Sequence, residues 1–512
     1  MKNTIQYIFL GVVLLISSCQ DPFELVPQDI ISDTVVFEDE GLADAFLADL
    51  YERALLWNDD RGFIERNLIN AMGGESRNFA PWQSPFGAIT DTDFDETGAG
   101  ILEHWPYQLI RECNVYIDKL SQSTTLNPDY VATRVAEARF IRAWEYFEMA
   151  KLYGGVPLVT EALPLGATEE ELLVPRNSEK EVYDFIASEL DLAVAALPEM
   201  AEKEGRITRW AALAFKGRAM LYAASVAQFG TQQLGGLLGF PASDADAYYR
   251  ASMEASKEII DNGNFALYRG AGTPFDNLTN MWLDESGANT EKILVEKYDE
   301  ASGKDHSWDI HATPAGFGSG WNSNFPVYLE TFEFFDFVDG RSGKLDRSIY
   351  DGNTPIDPAD YFEKRDPRFK AWVFYPGAPF KDSHFFSHRK TFYTDPADGV
   401  RKESTSRGSI FAGATDYLGA QVDWPGQSHP RHHTANPTGM IIRKFVDPSF
   451  ADRVIGSSTD VVILRYGEVL LNYAEAAFYL GNPNGDVLTV LNDIRDRAGM
   501  PLFEAGDVTE ET

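Results

Sequence analysis

Two short clusters of side chains carry the chemistry this chain could perform. The first is Arg77, Asn78 and Trp82; the second is Trp308, Trp321 with Asn322 and Asn324, and Tyr328. A flat aromatic face covers the apolar face of a sugar ring, and an amide or guanidinium beside it meets the hydroxyls. Such a set binds a polar, ring-shaped ligand without attacking it. Core packing is the competing reading for every indole, because large aromatics are mostly buried. Trp105 and Trp144 lie in helical context, and Trp282 and Trp372 lie among apolar neighbours, so these four are assigned to the core.

Other patterns fall short of a site. "DTDFDE", residues 91–96, sets acids at alternate positions as a calcium loop does. It has Glu96 where that loop needs Gly and Leu102 where it needs Glu. "HPRHH", residues 429–433, has no Cys or second His pair at zinc spacing and reads as an exposed turn. A nucleophile elbow, a phosphate loop and a zincin helix are all missing. With 79 acidic residues some suitably spaced carboxylate pair always exists, so glycoside cleavage stays open on the residues alone. The expectation is a binding protein, not an enzyme, with no metal and no cofactor. A secreted glycoside-processing enzyme and a tetratricopeptide-type adaptor that binds only protein are the alternatives.

The start of the chain says where these clusters work. Lys2 precedes the apolar run from Tyr7 to Ile16, and Ser17 and Ser18 lead to Cys19. A basic start, a short apolar centre and small residues before a cut make a secretory signal over residues 1–18. The run is shorter than the roughly 20 apolar residues that span a bilayer. Residues 19–40 read as a polar tether and 41–512 as one domain. Cys113 is the only other cysteine, so no disulfide framework is available; it reads as a small core residue. A formal charge of −35 argues against nucleic acid and anionic membrane as partners.

Four stretches must supply the scaffold. Residues 131–152, "VATRVAEARFIRAWEYFEMAKL", are apolar on two faces, as in a helix sandwiched between neighbours. Ser178 and Glu181 form a capping box ahead of a helix that Pro198 stops. After Thr208, small residues (Ala214, Gly217, Ala224) allow another helix to approach closely. Residues 465–480 form a helix ended by Gly481. Each has a prospective partner, such as "DAYYRASMEASKEIID" before Gly263 or "DVLTVLNDIRDRAG". Irregularly spaced helix pairs predict a mainly α fold, a tetratricopeptide-like scaffold decorated by insertions. Residues 73–100 and 264–460 are the insertions, rich in Gly, Pro, Asn and aromatics, with short strands at 293–298 and 439–445. The two are expected to meet on one side of the scaffold, since function concentrates on loops held by rigid elements.

Together the Ser-Ser-Cys19 junction, "ARFIRAWEYFEMAKLYGGVPLV" (138–159), "RITRWAALAFKGRAMLYAA" and "VVILRYGEVLLNYAEAAFYLG" resemble the SusD/RagB family of outer-membrane nutrient-binding lipoproteins. The resemblance implies a helical scaffold with an irregular ligand face, and lipid on Cys19. It implies display at the cell surface and a complex with a TonB-dependent transporter of the SusC type. It also implies a glycan ligand, with peptide in some members. The family usually continues past "IRDRAGMP" through a further helix, and Asp507 and Glu510 are spaced as a helix start, so a truncated C-terminus is expected.

Overall fold

The computed structural model describes residues 33–54, 74–76, 103–164, 166–314, 317, 325–349, 361–385, 392–394, 398–403, 439–450, 456–482 and 486–509. Helices dominate them: α1 (Glu40–Arg53), α2 (Tyr107–Ser121), α3 (Pro128–Tyr153), α4 (Glu179–Ala196), α5 (Arg209–Phe229), α6 (Ala245–Asn262) and α7 (Pro274–Leu283). After them come α8 (Trp308–Ala312), α9 (Leu329–Glu333), α10 (Pro367–Trp372), α11 (Tyr466–Tyr479) and α12 (Asp486–Ala498). The strands are short: β1 (Lys292–Glu296), β2 (Val373–Phe374), β3 (Ala378–Phe380), β4 (Ser383–Phe385), β5 (Phe392–Thr394), β6 (Arg401–Glu403), β7 (Ile441–Ile442) and β8 (Val461–Arg465).

Local chemistry explains where the long helices begin and end. Ser178 accepts from the Glu181 N–H while the Glu181 carboxylate reaches back to the Ser178 N–H, satisfying two otherwise orphaned donors. Thr208 caps α5 through the Ala211 N–H. Gly481, with φ of 74°, follows α11 in the left-handed conformation. Helix α3 starts three residues before its sequence expectation, because Asn127 caps it and Pro128 fits the first turn.

Successive helices pack in the order α2, α3, α4, α5, α6, α11, α12, a run of neighbouring pairs as expected. Gly217 shows why small residues were needed: a Cβ there would stand 2.8 Å from Ser256 Oγ of α6. Ser252 Oγ donates to the Gly217 carbonyl at 2.7 Å. Helix α3 buries residues around its whole circumference, including Phe140, Trp144, Tyr146 and Phe147. Its charges are paired inside: Arg142 binds Glu189 of α4, with both side chains about 5% exposed. Cys113 is fully buried, and burial pushes its thiol up to about 12. It belongs to the core, as expected.

The long insertion is tied at its ends. β1 pairs antiparallel with β8, so a chain that leaves the scaffold after Lys292 returns beside it at Arg465. The insertion is less irregular than its composition predicted: α7 starts on Thr273, whose side chain accepts from the Asp276 N–H, with Pro274 in the first turn. That cap was readable, but Gly and Asn on both sides masked it. The strand expected at 439–445 is only β7, because Phe445 turns into positive φ.

Candidate functional site

Phe325-Pro326-Val327 sits at the centre of the irregular face. Successive N–H groups of an extended segment point to opposite sides. Val327 N–H donates to the Met440 carbonyl at 3.0 Å, and Tyr328 N–H donates the other way, to the Glu75 carbonyl, at 3.1 Å. Pro326, which has no donor, bridges Ile441, and Val327 bridges Ser76. Beyond β7 lies β2. The layer therefore runs from 75–76 through 325–328 and 440–442 to 373–374. Ser76 belongs to the first insertion and Val327 to the second, so the two meet here.

The sequence-predicted site residues fare differently. Arg77, Asn78, Trp82, Trp321 and Asn322 lie outside the described residues, as do the 91–96 and 429–433 motifs and Cys19. Tyr328 is half-buried at the meeting point, immediately before α9, and Thr331 Oγ1 fastens that helix to the Glu75 carbonyl at 2.6 Å. Trp308 corrects the expectation. It is 7% exposed, its ring stacks on fully buried Phe325 at 5.0 Å and 18°, and its Nε1 donates to the Lys444 carbonyl at 3.0 Å. Helix α8 turns the indole inward, beneath the layer, where it supports the face and offers no ring to a ligand.

Trp105 corrects the reading in the other direction. Pro106 occupies the cap position of α2, so Trp105 stands outside the helical stripe and is 52% exposed. Tyr107 and Tyr153 brace it, with ring centroids at 5.0 and 5.3 Å. It walls a groove of about 590 Å³ with Tyr107, Arg111, Pro157 and Leu173. A proline directly after the tryptophan was the signal available. Trp144 and Trp282, at 3% exposure each, are core as expected, and Trp372 is half-buried.

Burial disfavours the charged forms of two polar groups near Trp308. His306 Nδ1 accepts from the Trp308 N–H at 3.2 Å and its Nε2 lies 3.0 Å from the Thr459 carbonyl, so Nε2 carries the proton. Burial lowers its pKa further. Asp309 is 1% exposed; Oδ1 accepts from the Asp447 N–H at 2.7 Å while Oδ2 has no partner. Burial pushes this carboxyl up to about 7. Among the described residues no group of three or more His, Cys, Asp or Glu could hold a metal ion.

Comparison with known proteins agrees with this architecture. Residues 290–512 match the model of the SusD family, and residues 46–221 match one described as starch-binding and associating with the outer membrane. A SusD-like protein of Bacteroides ovatus is 29% identical over 229 residues, which is 44% of this chain and 40% of that relative's length. SusD-like protein P38 of Formosa agariphila is 22% identical over 525 residues, 99% of this chain and 84% of that one. The crystal structure of a SusD-like carbohydrate-binding protein of Bacteroides fragilis has the same fold, at a TM-score of 0.66 and 22% identity. The match covers 93% of this chain and 81% of that one.

Proposed function

The chain belongs to the SusD/RagB family, and from that premise we propose that it is a lipid-anchored protein of the outer-membrane surface. In this reading it captures oligosaccharide and delivers it to a partner TonB-dependent transporter of the SusC type. The observation that carries the binding half is the Ser76–Val327 bridge. It brings together the two insertions whose aromatic and amide residues suit a sugar, with Tyr328 beside it. The bound glycan would lie across this junction, with Arg77, Asn78 and Trp82 contributed from one side and Trp321, Asn322 and Tyr328 from the other. Trp308, stacked on Phe325, supports the central segment. Cys19, at the end of an apolar run, is the residue suited to carry lipid. No helix among the described residues is long and apolar enough to cross a membrane.

Tryptophan fluorescence and calorimetry with a panel of oligosaccharides test the binding half. A saturable response is expected, with the ligand recovered intact after long incubation. Shortened products would favour a glycoside-processing enzyme, and absence of binding to every glycan would reject the reading. Co-purification of a large outer-membrane β-barrel with the tagged lipoprotein, lost on Cys19→Ala, tests the anchoring and partnership.

A further inference from the structure

Arg134, Arg142 and Arg218 each face a carboxylate, but half-buried Lys444 does not. Its ammonium lies 4.6 Å from the centroid of Trp282, 5.5 Å from Trp372 and 5.5 Å from Phe445. No carboxylate of the described residues lies within ion-pair distance of it. Arg465, with its guanidinium 5.6 Å from Trp282, is already paired with Glu291 at 2.9 Å, which leaves Lys444 as the cation without a partner at this indole. Among the described residues, Glu75 at the junction of the two insertions is the carboxylate whose charge acts on Lys444, and it acts less than burial and Arg465 do.

The rings around Lys444 carry their own unmet need. Nε1 of Trp282 and Nε1 of Trp372 are both buried and neither has an acceptor. A buried N–H without an acceptor forfeits on the order of 1–3 kcal/mol. Phe445 adopts a φ of 69°, an outlier for a bulky residue, and its ring packs 4.5 Å from Trp282. Cation–π contact alone does not neutralise an ammonium taken out of water. Burial accordingly pushes Lys444 down to about 8.

A half-buried ammonium without a counterion calls for an anion, and the two indole N–H groups call for acceptors, which the oxygens of an anion would supply. The net charge of −35 does not oppose this, because charges beyond about 8 Å are largely screened at physiological salt. The location links the requirement to the ligand face: the Lys444 carbonyl holds Trp308, and Ile442, two residues earlier, donates its N–H to Phe325 in the central segment.

Resting on the glycan-binding reading above, we infer that Lys444, with the indoles of Trp282 and Trp372, forms a subsite for the anionic substituent of a charged saccharide. The substituent is a uronic-acid carboxylate or a sulfate ester. Selectivity then comes from the charge on the sugar, and the neutral ring stacks elsewhere on the face.

Calorimetry on the purified chain tests this with matched pairs: an oligogalacturonate against its methyl ester, and a sulfated galactan oligosaccharide against its desulfated form, with inorganic sulfate as control. One charged member is expected to bind at least about tenfold more tightly than its neutral counterpart, and which pair shows it identifies the substituent. Lys444→Met, which keeps the apolar stem, should erase that preference while leaving neutral binding within about twofold; Lys444→Arg should restore part of it. Thermal melting of both variants verifies that they fold. Equal affinity for charged and neutral members, or a preference unchanged in Lys444→Met, overturns the inference. So does sulfate binding as an adventitious ion only. If neutral glycans bind and charged ones gain nothing, this inference fails alone. If no saccharide binds, the glycan-binding reading fails and takes this one with it.

Discussion

On the helical scaffold buried cations meet carboxylates, whereas on the irregular face they meet rings. Arg134 binds Asp44 and Glu137, Arg142 binds Glu189, and Arg218 binds Glu468. Arg443 instead lies over Phe275 at 4.8 Å and Phe374 at 5.0 Å, and Lys444 lies over Trp282. Burial lowers Arg443 to about 10. The contrast separates two uses of charge. These scaffold pairs fix how helices sit on one another. Lys444 on the face has no such partner, the condition in which a ligand can supply one.

The largest effect should come from breaking a scaffold pair. Glu189→Ala strands Arg142 in the core and is expected to lower stability by about 3–5 kcal/mol in urea unfolding. Lys444→Met, in contrast, should leave the melting temperature unchanged or raise it, since it removes a charge that has no counterion. A loss comparable to that of Glu189→Ala would erase the distinction. Trp308→Ala should also cost about 3–5 kcal/mol, because a packed indole leaves a cavity.

Asp309 sharpens the contrast through pH. Its folded pKa, about 7, is raised above the ordinary carboxylate value by burial. Its contribution to stability is thus fully present below about pH 4 and is lost as pH rises through 7. Asp309→Asn should therefore stabilise the protein at pH 8 by up to about 4 kcal/mol, with the gain vanishing towards pH 4. A gain that is constant across pH would contradict the assignment. Gly217→Ala, which forces Ser256 to move, should cost about 1–3 kcal/mol in the same assay. The smallest effect is Trp105→Ala, below about 1 kcal/mol, because half of that ring already faces solvent.

The scaffold was legible because its signals are local. Ser178 with Glu181, Thr208 before α5 and Gly481 after α11 act within a few residues of themselves, and the structure shows each acting so. The face was legible only in outline. Trp308 and Trp105 are both tryptophans beside helix starts, yet one is stacked on Phe325 and the other is half-exposed. Their difference depends on a segment seventeen residues downstream of Trp308 and on the proline after Trp105. Lys444 gave no signal, since a lysine among aromatics in a loop looks like any solvated charge until Trp282 and Trp372 arrive from distant elements.

What the sequence determined alone is the mainly α scaffold and the caps of its long helices, because capping and periodicity are properties of neighbouring residues. Tertiary structure decided that Ser76 reaches Val327, that Trp308 turns inward, and that Lys444 is ringed without a carboxylate. Those outcomes join residues that no local signal connects, and their pairing is set by which surfaces exclude water together.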